Sequence, residues 1–185
     1  VLRVGFISAD LRNHALSSFF EPVYELLLTK PALQVHIYDT FGAEDVVSTR
    51  MKALGGSWLL VARLSDEEFE QQIKRDAIDV LVDLAGHTYG HRLQTFARRA
   101  APVQMSWMGY PGTTGLTAMD YYIGDKHFLP LGEYDDVFSE KIIRLPANAP
   151  FRSIPEAPDI AELPALSAGY ITFGSFNRLD KINKY

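Results

Sequence analysis

Asp10, Asn13 and His14 fall within a five-residue span just past the apolar run Val4-Gly5-Phe6-Ile7, which stops at Ser8-Ala9. A carboxylate and an imidazole can each take up or deliver a proton, and a side-chain amide can hold a hydroxyl. The trio therefore suits general acid–base work on a bound substrate. The competing explanation is helix capping, which Asp and Asn both favour. Asp10 lies too far ahead of the next apolar stripe to cap it, whereas Asn13 is within reach. Asp10 and His14 are therefore read as functional candidates.

Three more stretches put polar groups after an apolar run. In Asp83-Leu84-Ala85-Gly86-His87-Thr88, Gly86 permits a tight turn and His87 and Thr88 project from it. A lone loop histidine is more often structural than catalytic. His91, four residues on, does not complete a zinc site with His87, because no suitable carboxylate stands nearby and the sequence has no cysteine. No metal is expected. The run Met108-Gly109-Tyr110-Pro111-Gly112-Thr113-Thr114-Gly115 can present backbone N–H groups to an anion or let a polypeptide lie close to it. It has neither the GxxxxGK[ST] nor the GxGxxG spacing of nucleotide-phosphate loops. Asn177, Arg178 and Lys181 follow the strand-like Tyr170–Phe176. A lysine there can meet phosphate as a point charge, or can belong to a solvated helix start.

These loops need elements to position them. Short runs rich in Val, Ile, Leu and Tyr predict strands at Leu2–Ser8, Leu33–Asp39, Trp58–Ala62, Ile78–Leu84, Val103–Met108, Tyr121–Gly124 and Lys141–Leu145. Between them, Leu16, Phe19, Phe20, Val23, Tyr24 and Leu27 form the stripe of an amphipathic helix over Leu16–Leu28, with Pro22 expected to kink or restart it. Ser65 and Glu68 form a capping box for a helix over Asp66–Arg75. His91–Arg99 predicts a shorter helix with basic residues at its C-terminus. The alternation implies an α/β fold, a Rossmann-like, mostly parallel sheet with flanking helices, whose strand-end loops share one edge. Residues 1–146 form this domain. Five prolines make residues 147–169, together with Pro146, a linker, and residues 170–185 read as the first strand of a second α/β unit.

The bulk composition narrows the function classes. The chain has 185 residues, 47% of them hydrophobic, and a net charge of −5. That balance argues against a nucleic-acid partner, which calls for a concentrated basic face. No run approaches the ~18 apolar residues of a membrane span, so no membrane is expected. Freedom from cysteine fits a reducing, cytoplasmic setting. The chain opens with Val1 entering a strand at once, which suggests a start inside a longer polypeptide.

In order, the stretches LRVGFISADLRNH, APVQMSWMGYPGTTGLTAMDYYIGD, FSEKIIRLP and FGSFNRLDKI resemble the catalytic region of the protein O-GlcNAc transferase family, including its SPINDLY-like members. The GYPGT block and the FNxLxKI ending are specific to it. The resemblance implies a GT-B glycosyltransferase, two Rossmann-like domains across a cleft, of which this chain is the N-terminal half plus the start of the C-terminal half. Such enzymes transfer N-acetylglucosamine, or fucose in SPINDLY, from a nucleotide sugar to Ser or Thr of an acceptor protein, without a metal or other cofactor. The partners implied are UDP-GlcNAc as substrate, an acceptor protein or peptide, the remaining catalytic half and an upstream TPR array. His14 falls on the family's active-site histidine, a base or a positioning group. Asp10 falls on an aspartate debated as proton acceptor, and Lys181 on the lysine that neutralises the leaving diphosphate. Substrate contacts are implied for Asn13, His87, Thr88, Met108, Gly109, Tyr110, Pro111, Gly112, Thr113, Asn177 and Arg178. Two departures bear on donor and acceptor choice. Ala15 and Leu16 replace the Pro-Thr of the animal enzymes, and Arg178 replaces a glutamine. The rival readings are another GT-B enzyme with fucose or glucose as its sugar, and a non-catalytic Rossmann-like binding module.

Overall fold

The computed structural model describes the chain except residues 43, 153–156, 177–178 and 180–185. Its residues fall into two compact units, 1–152 and 153–185. The first holds seven strands: β1 (Leu2–Ser8), β2 (Leu33–Asp39), β3 (Ser57–Leu60), β4 (Val80–Asp83), β5 (Val103–Trp107), β6 (Tyr121–Asp125) and β7 (Lys141–Leu145). All neighbours pair in parallel, in the order β3-β2-β1-β4-β5-β6-β7. The order reverses between β1 and β4. In open parallel sheets that reversal opens a crevice beyond the carboxyl ends of the strands, where ligands bind.

Alternation along the strands sorts their side chains onto two faces. Phe6, Ile37 and Val82 pack on one face with Phe20 and Tyr24 of helix α1 (Ala15–Leu28) and Met51 of helix α2 (Val46–Ala53). Their neighbours Ile7, Tyr38 and Leu81 pack on the other face with Phe69 and Ile73 of helix α3 (Asp66–Arg75) and Phe96 of helix α4 (Leu93–Ala97). The result is a helix–sheet–helix sandwich of the Rossmann type, as the sequence implied.

The helices differ from expectation in three places. α1 runs through Pro22 as one element. An interior proline costs roughly 3 kcal/mol. Fully buried Phe20 and Tyr24, stacked at 5.8 Å, and the two 2.6 Å bonds from Arg50 to Glu21 hold the helix across that point. α2 was not anticipated, because Val46, Val47 and Met51 make no helical stripe. It is nucleated locally, by a capping box in which the Asp45 carboxylate takes the N–H groups of Val47 and Ser48. α4 is shorter than His91–Arg99, and His91 lies ahead of it, its Nδ1 accepting the Leu93 N–H at 3.3 Å.

In the second unit, Pro164 opens the short helix α5 (Pro164–Ala168), closed by Gly169 in the left-handed conformation. Residues 171–176 form no strand, contrary to the pattern of YITFGSF. A strand is held by the ladder of a neighbouring strand, and among the described residues this segment has none. Among the described residues no helix is long and apolar enough to cross a membrane.

Candidate active site

The loop after β1 is built around the first turn of α1. His14, extended at φ −148°, is the N-cap, and its Nδ1 accepts the Leu16 N–H at 3.2 Å. Asn13, the expected cap, is held differently: its own N–H donates to Asp45 Oδ2 at 2.7 Å, which ties the loop to the start of α2. That bond and those from the α2 backbone hold the Asp45 carboxyl below the usual carboxylate range. Asp10 is anchored through its backbone. Its N–H donates to Ser8 Oγ at 2.9 Å, and its carbonyl accepts the Ser17 hydroxyl at 2.9 Å.

Those contacts decide what each side chain can do. Because His14 Nδ1 receives the Leu16 N–H, the proton of the neutral imidazole sits on Nε2. The ring therefore faces a ligand as a hydrogen-bond donor. Asp10 Oδ2 lies 3.9 Å from His14 Nδ1, too far for a hydrogen bond, so the two are not a relay pair. Arg12 Nη2 reaches Asp10 Oδ1 at 3.2 Å and leaves Oδ2 free to accept a proton. The same guanidinium lies 4.8 Å above the Phe41 ring, which fixes its direction.

Asp10, Arg12, His14, Ala15, Leu16 and Phe19 share a cavity of about 550 Å³ with Thr88, Tyr89, Met108, Gly109, Asn148 and Ala149. It gathers the loops after β1, β4, β5 and β7 at the carboxyl edge of the sheet, beside the strand reversal. Close packing of backbone on backbone brings the β5 loop in. A Cβ added to Gly109 would lie 2.0 Å from Leu84 O. Met108, at φ +67°, takes a conformation that non-glycine residues rarely adopt, and such strain gathers at ligand sites.

The rest of the Gly-rich loop is built into the wall around the site. His87 does not line the cavity. Its Nε2 lies 3.1 Å from Thr114 O, and its ring stands edge-on to Tyr110 at 5.1 Å. Gly86, at φ +58°, allows that approach, since a Cβ there would meet Tyr110 Cβ at 2.3 Å. Thr113 and the Thr114 N–H both donate to the carboxylate of buried Glu140 at 2.7 Å, and the Thr114 hydroxyl donates to it as well. Tyr122 donates to Tyr110 O at 2.8 Å, and burial raises its phenol to about 12. Burial likewise raises buried Asp83, whose carboxyl takes the N–H groups of Ala85 and Gly86 and sets the turn before His87.

Of the expected site residues, Asp10, His14, Thr88, Met108 and Gly109 therefore meet at one cavity. Asn13 stands beside it, while His87, Tyr110, Pro111, Gly112 and Thr113 are absent from its lining. Asn177, Arg178 and Lys181 lie outside the described residues. Among the described residues no group of three or more His, Cys, Asp or Glu is placed to hold a metal. Arg12, Tyr89 and Asn148 line the cavity without having been singled out in the sequence. Asn148 in particular stands in the proline-rich stretch read as a linker.

Comparison with known proteins bears on this site. The sequence profile described as glycosyl transferase family 41 matches residues 1–151. The probable UDP-N-acetylglucosamine–peptide N-acetylglucosaminyltransferase SPINDLY of Arabidopsis thaliana is 37% identical over 190 residues, covering 98% of this chain and 20% of the relative. The probable transferase SEC of the same plant is 35% identical over 147 residues, covering 78% of this chain and 15% of the relative. Among solved structures, a mutant O-GlcNAc transferase of Thermobaculum terrenum superposes with a TM-score of 0.82 at 40% identity, covering 87% of this chain and 31% of that one. The chain thus spans about a fifth of the length of the curated relative SPINDLY.

Proposed function

Because the chain belongs to glycosyl transferase family 41, we propose that it forms the N-terminal catalytic half of a protein O-GlcNAc transferase, which moves N-acetylglucosamine from UDP-GlcNAc to Ser or Thr hydroxyls of acceptor proteins. The observation that carries this reading is the shared cavity at the strand reversal, which Asp10 and His14 both line. It is supported by relatives whose names specify that donor and a peptide acceptor. The second Rossmann-like half and the TPR array are partners of this reading, and the cytoplasm is its compartment.

The geometry supports a division of labour. The acceptor hydroxyl oxygen attacks the anomeric carbon of the sugar. The new C–O bond forms as the bond to the diphosphate breaks, and the bonding electrons leave with UDP. Asp10 Oδ2, free of Arg12, accepts the hydroxyl proton directly or through one water, a role that contributes ~10²–10⁴ in rate. His14, with Nδ1 occupied, donates from Nε2–H to a substrate oxygen and orients it. Lys181 is assigned the charge that grows on the leaving diphosphate, an interaction stronger in the transition state than in the ground state.

The test offers the protein, as its gene encodes it, UDP-GlcNAc, GDP-fucose and UDP-glucose in parallel with Ser/Thr peptides and reads the product by mass. Transfer of N-acetylglucosamine is expected. Leu16, which lines the cavity, makes the other two sugars worth including. Preferential transfer of fucose or glucose would replace the donor assignment, and no transfer from any of them would leave the binding-module reading.

A further inference from the structure

Asn148 lies three residues beyond β7, and its backbone N–H is fixed by a 2.8 Å bond to Asp125 Oδ2. The same carboxylate takes the N–H groups of His127 and Phe128 at 2.8 Å. These bonds hold it below the usual carboxylate range and make it a firm anchor. The side chain is fixed separately. Trp107 Nε1 lies 2.9 Å from Asn148 O and 3.1 Å from Asn148 Oδ1. An indole N–H only donates, so the oxygen is the amide atom that can share it with the Asn148 carbonyl. The Asn148 NH₂, with two N–H groups, is then left without a described protein acceptor in a half-buried residue that lines the same cavity as Asp10, His14 and Gly109.

An amide held at both backbone and oxygen, with its donor end uncommitted at a ligand cavity, is preorganised to bind an oxygen. We propose that Asn148 is a substrate-binding residue whose NH₂ donates to an oxygen of the hydroxyl-rich substrate in this cavity, either the donor sugar or the acceptor hydroxyl. This rests on the glycosyltransferase reading above and adds to it a contact from the segment after β7.

The discriminating variant is Asn148→Asp. A carboxylate still accepts the Trp107 N–H and keeps the wall intact, but it offers the substrate an acceptor in place of a donor. In the protein as encoded, Asn148→Asp and Asn148→Ala are both expected to lower kcat/KM ~10- to 100-fold, the range for leaving a polar group unpaired. The melting temperature of Asn148→Asp should be unchanged. If the contact is to the donor, KM for UDP-GlcNAc rises and donor hydrolysis without peptide falls in step. If it is to the acceptor, KM for peptide rises and donor hydrolysis is untouched. Asn148→Asp with wild-type kinetics would overturn the proposal and leave Asn148 as a partner of Trp107 only. Absence of sugar transfer by the wild type would instead remove the reading on which it rests.

Discussion

At the scale of single residues, the site is organised by which atoms are already committed. His14 has given Nδ1 to the helix, and Asp10 keeps one oxygen free. The prediction follows from the amide's chemistry. Asparagine is a favoured N-cap and carries N–H donors, but it cannot accept a proton at them. His14→Asn should therefore retain more turnover than His14→Ala. Equal, complete loss in both would assign His14 the base role instead. A second prediction concerns His36, which is 8% exposed with neither ring nitrogen hydrogen-bonded among the described residues. Burial lowers its pKa, with Asp76 opposing and Arg3 reinforcing the shift. The unfolded chain then binds a proton that the folded chain resists. This contribution to stability is present above about pH 6.5, the unfolded value, and is lost as pH falls through the lower folded value. Urea unfolding across that range should show the loss, and His36→Phe should flatten it. An unchanged slope would show that the ring is not the titrating group. That Asp10 and His14 would line a strand-end cavity was legible in the sequence because both lie in the loop that follows the continuous apolar run of β1. Asn148 was not, because its role depends on an indole 41 residues away.

At the scale of elements, legibility followed the range of the forces involved. β1 and β2 begin and end where their apolar runs do, and α3 begins at its own capping box. α2 carries a similar capping box at Asp45 and Ser48 but no apolar stripe, so a reading led by periodicity passes over it. YITFGSF has the residues of a strand, but a strand also needs a neighbour. The Gly-rich loop was legible as a special segment. Its working arrangement was not, since Glu140, His87 and Tyr122 reach it from three other places. Two predictions belong here. In Gly109→Ala the new Cβ meets the Leu84 carbonyl, so the segments that follow β4 and β5 must move apart. A loss of about 1–3 kcal/mol in chemical denaturation is expected, together with a fall in transfer. Glu140→Ala leaves Thr113 and Thr114 without their shared acceptor and should also lower the unfolding midpoint, with Glu140→Gln intermediate. Wild-type stability in Glu140→Ala would mean that the loop holds itself.

At the scale of the molecule, the seven parallel strands explain why groups far apart in sequence can act together. Strands that run the same way end on the same side, so Asp10, Thr88, Gly109 and Asn148 arrive at one edge from four different loops. The strand reversal between β1 and β4 then opens the crevice that the proposed transfer would use to bring a sugar and a hydroxyl together. On the proposed reading, this edge performs glycosyl transfer with Asp10 as the proton acceptor. That reading is tested most directly by single-turnover transfer from saturating UDP-GlcNAc to a Ser/Thr peptide, comparing wild type with Asp10→Asn in the protein as encoded. Asp10→Asn should lower the first-order rate ~10²–10⁴-fold, with donor affinity nearly unchanged. A variant that transfers sugar at the wild-type rate would contradict that reading.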